Sequence, residues 1–479
     1  MLRTLLKDSA IYAIPALISR GLAFFLIPLY TRVLNPADYG SLDLMLIFAN
    51  LVNLTVALEI SQGVARFYTA EPDQKRRIQY ASTSLWFTIA CYTLFACVAF
   101  TGSGFVSKWV LGREGMEAVF QISLIYIWSN GLFCLIQNQF RWELRSKDYA
   151  VVSLLSTIGT AGVAVWLTVS LRWGLEGLLW GMAAGSFSGV LYGLWFLRRS
   201  FRFCFSFKRL WEMLRFSAPL VPSGIAVFVS TYIDRMMINY YLSVDELGLY
   251  GIGFRLASIA GLVMVGFQGA LTPLIYTHYQ DKETPWQLAR VFRIFVALIL
   301  LMFLFLASFA HDFLVIMTVP AYYGAAQVLV FLVPAVLLAQ MYIFAPGISI
   351  AKKTSVILWI NVAGAVCNTL LNWLLIPVMG IIGASLATMT GYVFIFCLYM
   401  MFSQRLYPVP HAWLPMAIAV GVILGLGLFV HFSAFDTLAR MISGAVALLA
   451  AAITIYATGL ITRSEVKVLL NSMLCLFKK

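Results

Sequence analysis

The sequence predicts an all-α, polytopic integral membrane protein of about 14 transmembrane helices, arranged as two six-helix bundles plus a C-terminal helix pair. Three observations predict this class: the composition, a series of apolar segments long enough to span a bilayer, and turn motifs repeated half a chain apart. Hydrophobic residues make up 62% of the 479 residues and charged residues 11%, whereas soluble domains carry about 25% charged residues. The composition therefore fits a protein embedded in a lipid bilayer.

The apolar segments are mostly close to 20 residues long. That length crosses a hydrocarbon core of about 30 Å at a rise of about 1.5 Å per residue. The segments follow one another with no room for a soluble domain between them. They lie at 10–31, 41–64, 81–101, 118–140, 149–171, 177–197, 216–241, 248–275, 294–310, 323–348, 355–377, 381–401, 412–432 and 441–461.

Lysine and arginine predict the orientation, because they accumulate on cytoplasmic loops. With the N-terminus inside, the inside segments hold 25 of the 33 basic residues and the outside loops hold 5. The other three, Arg20, Arg235 and Arg255, lie within predicted helices. We therefore expect both termini to be cytoplasmic. The net charge of +13 follows from this asymmetry and indicates anionic headgroups at the inner face rather than nucleic acid.

The cysteines and histidines do not indicate a metal or redox site. Seven cysteines and four histidines are scattered along the chain, without the spacing of a disulfide framework or a metal cluster. No glycine-rich phosphate loop is present, and the chain has no room for a nucleotide-binding domain. We expect a protein with no metal, no cofactor and no nucleic-acid partner.

Two pairs of turn motifs repeat along the chain. LNPADYG at 34–40 matches LSVDELG at 242–248, an offset of 208, and GLEG at 174–177 matches GIIG at 380–383, an offset of 206. Glycine-rich turns can resemble one another by chance, but two landmarks give nearly the same period. An even number of helices between the copies places them in the same orientation, which is a transporter design with the substrate site between the bundles.

This period divides the chain into four parts. We expect a first six-helix bundle, a basic cytoplasmic linker, a second six-helix bundle, and an additional helix pair with a cytoplasmic tail. Their predicted ranges are 1–197, 198–215, 216–401 and 402–479, respectively.

Three stretches carry a family resemblance. They are SRGLAFFLIPLYTRVLNPADYGSLDL at 19–44, APLVPSGIAVFVSTYIDRMMINYYLSVDELGLYG at 218–251 and MGIIGASLAT at 379–388. In order and spacing they resemble the polysaccharide-transporter branch of the multidrug, oligosaccharidyl-lipid and polysaccharide exporter superfamily, over roughly residues 1–405. The last two predicted helices exceed the twelve of that branch and are similar to those of the peptidoglycan-precursor flippases, in which the extra pair forms a groove for the lipid tail.

The resemblance implies a flippase of the O-antigen or exopolysaccharide type. Such a protein moves a polyprenyl-diphosphate-linked oligosaccharide from the inner to the outer leaflet of a bacterial inner membrane by alternating access. Its partners would be that lipid-linked oligosaccharide and the bilayer, and the resemblance also allows a polysaccharide polymerase and chain-length proteins. It further implies transport driven by an ion or proton gradient.

The three intramembrane arginines are the first candidate substrate-binding residues. Arg20 lies about ten residues from either end of its predicted helix, and a charge at mid-bilayer costs about 2.5–3.5 kcal/mol on insertion scales. Arg235 and Arg255 lie nearer the outer ends of their helices. A guanidinium group can bind phosphate or carboxylate oxygens through two parallel hydrogen bonds, which suits a diphosphate or an acidic sugar.

Three acids, Asp43, Glu59 and Asp234, also lie within predicted helices. They leave two interpretations open. They can neutralise the arginines in buried ion pairs, or one of them can change protonation during transport and couple it to a gradient. Helical periodicity places Glu59 on the same side as Arg66, so we expect those two to pair at the inner face.

Amide side chains complete the candidate binding set. Asp43 and Asn50 share one helical face and could line a lumen together with Arg20. Asn368 and Asn372 lie on one face of the eleventh predicted helix, where amides can bind sugar hydroxyls. Such amides can equally act as interhelical hydrogen bonds of about 0.6–2 kcal/mol each.

Two other function classes remain open. A multidrug exporter would share the fold, but its cavity should be acidic, and Arg20 argues against it. A membrane glycan polymerase or glycosyltransferase would need a sizeable outside loop with an acid or histidine constellation. The longest predicted outside loop, 102–117, is sixteen residues and lacks one. The sequence therefore favours a transporter over an enzyme.

Overall fold

The computed structural model describes residues 2–433, 437–462 and 465, and the regular elements in that part of the chain are helices. The α-helices are α1 (Leu2–Tyr30), α2 (Pro36–Thr55), α3 (Ile60–Ala70), α4 (Gln74–Thr101), α5 (Ser103–Leu111), α6 (Glu117–Trp142), α7 (Ser146–Val165), α8 (Gly174–Phe196), α9 (Phe207–Ser217), α10 (Val221–Tyr241), α11 (Val244–His278), α12 (Thr284–Met317), α13 (Ala326–Leu338), α14 (Gly347–Ile350), α15 (Thr354–Leu406), α16 (Trp413–Phe432) and α17 (Thr437–Ala457).

The predicted class, an all-α multi-pass membrane protein, is confirmed. Within the described ranges, ten helices are long and apolar enough to cross a membrane, or up to eleven if the bent pair α2 and α3 counts as one span. Each of the predicted apolar segments overlaps a helix, and the segments 355–377 and 381–401 share α15. The number fourteen itself is not confirmed.

The chain divides into two compact units, Met1–Gly251 and Ile252–Lys479. The first contains α1 to α10 and the first residues of α11. The division into two six-helix bundles with a linker at 198–215 stays a prediction.

The core of the first unit lies among α4, α6, α7 and α8. Buried aliphatic and aromatic side chains from these helices form one cluster. Its buried members are Leu85, Leu132, Phe133, Leu135, Ile136, Phe140, Val152, Val190 and Leu197. These helices therefore form the packed core of this unit.

The basic segment 198–215 is hydrogen-bonded to α4. The Arg202 N–H donates to Ser82 Oγ at 2.9 Å, and the Ser206 N–H donates to Thr83 Oγ1 at 3.1 Å. Ser206 also caps α9, since its side chain accepts from the Arg209 N–H at 3.4 Å. Half of the predicted linker thus forms an ordered helix.

The motif LNPADYG fixes the start of α2. The Asn35 side chain accepts from the Asp38 N–H at 2.8 Å, while the Asp38 carboxylate accepts from the Asn35 N–H at 3.2 Å. This reciprocal capping box leaves Pro36 at the first helical position, where its missing N–H costs nothing. Arg113 adds a contact to Asp38 at 2.9 Å. The helix therefore begins within the repeated motif, at Pro36.

Gly40 and Gly248 are the last residues of the two related motifs. Each packs against the backbone near the start of the other motif. A Cβ on Gly40 would overlap the carbonyl oxygen of Val244, and a Cβ on Gly248 would overlap the carbonyl oxygen of Pro36. Pro36 and Val244 are themselves separated by the repeat offset of 208. The contact is therefore reciprocal, and it brings the start of α2 against the start of α11 at a distance that only glycine allows.

In the second unit, α15 folds back on itself at Gly380, where φ is 61° and ψ is −141°. The two arms correspond to the predicted segments 355–377 and 381–401. Arg440 on α17 pairs with Asp312 on α12 at 2.8 Å. Glu465 accepts from Arg290 at 2.6 Å and from Arg293 at 2.8 Å. These ion pairs join α17 and Glu465, which follows it, to α12.

Candidate functional site

Arg20 lies on an exposed face of α1. It forms no ion pair or hydrogen bond with the residues that the structure describes, although α1 itself packs against α7 through the rings of Tyr12 and Tyr149, whose centroids are 5.0 Å apart. In hydrocarbon an uncompensated guanidinium is costly. Arg20 is therefore available to water or to an anion, and its substrate role stays a prediction.

A buried acid and a buried base adjoin on α10. Asp234 is 5% exposed and Arg235 is 7% exposed, and their charged groups are 3.5 Å apart. The Tyr250 hydroxyl, from α11, donates to Asp234 Oδ2 at 2.5 Å. The guanidinium also lies over the rings of Tyr232 and Tyr250, at 5.7 and 5.8 Å from their centroids. The ion-pair interpretation holds for this acid and base, so the pair compensates its own charge in an apolar region.

Asp43 and Asn50 lie on α2 near this cluster. Asp43 is 8% exposed, and its carboxylate packs against Gly251, whose Cβ, if present, would overlap Oδ2. Asn50 is exposed and donates to the Leu46 carbonyl at 2.9 Å and to the Tyr232 hydroxyl at 3.2 Å. Through Tyr232, Asn50 is joined to the Arg235 cluster. Their roles in binding and coupling stay predictions.

Glu59 lies at a break between α2 and α3, where the two helices bend by 47°. It does not pair with Arg66, which is exposed, so the expected inner-face pair is wrong. The expectation assumed one continuous helix at 100° per residue, but Leu58 and Glu59 adopt left-handed conformations, with φ of 49° and 51°. The break rotates the segment after it, and the two side chains no longer share a face.

The remaining candidates lie in the second unit. Arg255 is half-buried on α11. Asn372 is fully buried and donates to the Asn368 carbonyl and side-chain oxygens at 2.9 and 3.0 Å. Asn368 donates to the Ala387 carbonyl on the other arm of α15 at 3.3 Å. Asn368 thus joins the two arms of the hairpin, and Asn372 bonds to Asn368 within one arm. Sugar binding by these amides stays a prediction.

Two aromatic residues of the α10 and α11 cluster were missed by the sequence reasoning. Tyr232 precedes Arg235 by three residues, so helical spacing could have identified it as a neighbour on the same face. Tyr250 comes from the next helix, and its contact with Asp234 depends on how the two helices are placed. Spacing along the chain contains no signal for such a contact.

A family described as "Polysaccharide biosynthesis protein" matches residues 29–326. Two curated relatives are the succinoglycan biosynthesis transport protein ExoT of Rhizobium meliloti, 24% identical over 271 residues, and the "Probable low-salt glycan biosynthesis flippase Agl15" of Haloferax volcanii, 23% identical over 263 residues. The matches cover 55% and 54% of this chain, and 52% and 55% of the relatives. The chain therefore matches about half the length of each of these two relatives.

Two solved structures share the fold. The lipid II flippase MurJ, in an inward closed conformation, aligns with a TM-score of 0.70 at 14% identity, covering 94% of this chain and 99% of that protein. An inward-facing multidrug resistance MATE family transporter of the MOP superfamily aligns with a TM-score of 0.61 at 15% identity, covering 83% and 97%. At these identities the likeness shows the fold alone.

Proposed function

We propose that this chain, which belongs to the polysaccharide biosynthesis protein family and to the polysaccharide-transporter branch of the MOP superfamily, flips a polyprenyl-diphosphate-linked oligosaccharide across a bacterial inner membrane. Its family and structural neighbours are transporters and flippases rather than enzymes. The glycan would serve surface polysaccharide biosynthesis of the O-antigen or exopolysaccharide type. The strong excess of lysine and arginine on one side of the predicted topology supports cytoplasmic termini.

The observation that carries the proposal is the state of Arg20. Arg20 is a permanent cation within an apolar helix, and it is exposed with no partner among the described residues. Such a cation needs an anion or water beside it. A diphosphate supplies oxygens that a guanidinium can bind through parallel hydrogen bonds. A cationic drug would instead be repelled at this position, so Arg20 favours a lipid diphosphate over the multidrug alternative that the fold also allows.

The acid and base on α10 support the same direction. A cation exporter needs free carboxylates in its cavity, whereas Asp234 already accepts from Tyr250 and lies beside Arg235. That carboxylate is therefore occupied by protein groups in this conformation.

The test is export of the glycan in a strain whose surface polysaccharide depends on this chain. We expect Arg20→Ala to abolish surface polysaccharide, because a hydrogen-bonded charge pair contributes about 1.5–3 kcal/mol, roughly ten- to hundredfold in affinity. We expect Arg20→Lys to restore part of it, since an ammonium keeps the charge but loses the two-pronged geometry.

Arg32→Ala is the matched control, because Arg32 is an exposed arginine just beyond the end of the same helix. It should leave surface polysaccharide near the wild-type amount. Each variant is also quantified in the membrane fraction, so that loss of protein is separated from loss of transport. Normal surface polysaccharide with Arg20→Ala would refute the assignment of the phosphate-binding role to this residue.

A further inference from the structure

The break between α2 and α3 lies within an apolar segment and changes the backbone hydrogen-bonding pattern. The Leu58 N–H donates to the Thr55 carbonyl at 3.2 Å and the Ile60 N–H donates to the Ala57 carbonyl at 3.0 Å. Both bonds reach three residues back, whereas a continuous α-helix uses four. The α-helical ladder is therefore interrupted at this point of the chain.

A cavity of about 60 Å³ lies at this break. Its polar lining comprises Asn53, Glu59, Ser61, Thr88, Tyr92 and Asn138. One water needs a cavity of only about 10–15 Å³, so an ion with part of its hydration shell fits. One side chain, Glu59, supplies a carboxylate, and the others offer neutral oxygens.

One of these oxygens lacks a partner. Thr88 is 2% exposed, and its Oγ1 makes no hydrogen bond within the described part of the chain. A buried hydroxyl left in this state costs about 1–3 kcal/mol. A ligand in the cavity would remove that cost, because Thr88 is part of the cavity wall.

The neighbouring amide is held in a fixed orientation. The Tyr92 hydroxyl donates to Asn53 Oδ1 at 2.6 Å, and Asn53 Nδ2 donates to Asn130 Oδ1 at 3.1 Å. This chain of hydrogen bonds places the carbonyl end of the Asn53 side chain towards Tyr92, which lines the cavity. Asn53 itself lines the cavity, and an amide oxygen that accepts one hydrogen bond keeps a second lone pair.

We propose that this cavity binds a sodium ion. A single carboxylate with hydroxyl and amide oxygens is a hard-oxygen donor set of low charge. Sodium neutralises Glu59, whereas a divalent cation would leave a net positive charge in apolar surroundings. In the described part of the chain, no group of three or more histidine, cysteine or acidic side chains is placed to hold a metal, which fits a monovalent ion.

The site deepens the proposed transport function by naming a coupling ion, but sodium binding to it does not depend on the glycan. A cation here would fix the angle between α2 and α3, because its ligands come from both sides of the break and from α4. Binding can therefore be measured on the purified full-length chain without any lipid-linked substrate. A failure of the flippase assay and a failure of sodium binding are distinguishable results.

The first experiment measures saturable binding of radioactive sodium to the purified chain in detergent. We expect one site per chain in the wild type and loss of saturable binding in Glu59→Gln. Thr88→Val, which keeps the side-chain shape, should weaken binding by about tenfold or more, the scale at which single supporting groups affect metal sites. Glu176→Gln, at the start of α8, is the matched control and should bind as the wild type does.

A native cysteine supplies a second readout that does not depend on counting ions. Cys134 lines the same cavity, and its Sγ lies 3.8 Å from Asn130 Oδ1. With the other six cysteines replaced by serine, sodium should slow alkylation of Cys134 by a small thiol reagent, compared with choline. Glu59→Gln on that background should remove the protection.

Three results would overturn the proposal. Sodium binding retained by Glu59→Gln but lost in Asp43→Asn or Asp234→Asn would place the ion elsewhere. Alkylation of Cys134 at the same rate in sodium and choline would mean that the cavity stays empty. Proton uptake by Glu59 with no saturable sodium binding would make this carboxylate a proton site and exclude the sodium ion.

Discussion

Tyr250 and Asp234 are joined by a 2.5 Å hydrogen bond, in which the phenol of α11 donates to a carboxylate of α10 that also lies 3.5 Å from Arg235. Tyr250 is fully buried and Asp234 is 5% exposed. The phenol reduces the cost of burying the carboxylate beside its guanidinium partner, because each hydrogen bond to a buried charge offsets lost hydration.

Tyr250→Phe should therefore weaken the cluster without changing the shape of the ring. We expect a loss of about 1–3 kcal/mol in the free energy of unfolding, since the carboxylate is left with an unmet acceptor. Thermal unfolding of the purified protein measures it. Tyr240→Phe is the control, because Tyr240 is 79% exposed on α10. Equal thermal stability of the two variants would contradict a stabilising role for the hydrogen bond.

The reciprocal glycine contact predicts a second effect. Gly40→Ala and Gly248→Ala should each push the start of α2 away from the start of α11, because the added methyl group would overlap a carbonyl oxygen. We expect a lower melting temperature and loss of glycan export for both variants. Gly162→Ala is the matched control, since a Cβ at Gly162 meets nothing within 4 Å and alanine favours a helix.

Wild-type stability and export in both glycine variants would mean that the helices separate at no cost. The size of the stability loss in each variant gives a further test. Because the two contacts are equivalent by the repeat, the two variants should lose similar amounts of stability, and the double variant should lose less than their sum.

His411 predicts a dependence of stability on pH. The ring lies in the loop between α15 and α16, with its centroid 4.8 Å from Phe292 and 4.9 Å from Trp413. Neither ring nitrogen has a hydrogen-bond partner within the described ranges, and burial lowers the pKa of His411 to about 4. The imidazole therefore stays neutral in the folded protein at pH values where the unfolded chain is already protonated.

The sign follows from this difference. Above about pH 6.5, the ordinary histidine pKa, both states are neutral and stability does not depend on His411. As the pH falls from 6.5 towards 4, the unfolded chain gains a proton first and the folded state loses stability. Melting temperatures measured over this range should fall less steeply for His411→Phe. Trp286→Phe, which changes an exposed aromatic residue that does not titrate, should follow the wild-type curve. A wild-type slope in His411→Phe would exclude this ring as the source.

Alternating access predicts that the residues around Arg20 are accessible first from one side of the membrane and then from the other. Ala23 is exposed and lies three residues after Arg20, on the same helical face. A single cysteine at position 23, in a chain lacking the seven native cysteines, should react with a membrane-impermeant thiol reagent from one side. Adding the lipid-linked glycan should shift that side, because a ligand moves the population by its differential affinity.

The control is a cysteine at position 49, since Ala49 is only 3% exposed and should stay unreactive. A change produced by lipophilic cations and not by the glycan would favour the multidrug alternative. Labelling of position 23 from the same side under every condition would exclude alternating access at α1.

The helices were predictable because burial in lipid requires long apolar segments, which are visible in the sequence. The break at Leu58 and Glu59 was not, since neither residue is a glycine or proline and the surrounding segment stays apolar. Likewise, α5 lies within the predicted outside loop 102–117, because nine residues are too few to give a spanning signal.

The residues of the candidate site also divide into those that the sequence could identify and those that it could not. Individual charges such as Arg20 and Asp234 stand out against an apolar background and were identified from the sequence. Partners such as Tyr250 and Thr88 belong to other helices, and their contacts depend on helix packing. A tyrosine or threonine in a membrane helix is common enough that its type alone predicts no role.

The reciprocal contact of Gly40 and Gly248 has the form of a homodimer interface. When two identical subunits meet across a two-fold axis, residue i of the first contacts residue j of the second, and residue j of the first contacts residue i of the second. The segments around Pro36 and Val244 obey this rule within one chain. A separate protein consisting of one repeat could thus assemble with a second copy through the same glycine, and covalent fusion of two such subunits would preserve the interface while freeing each copy to diverge.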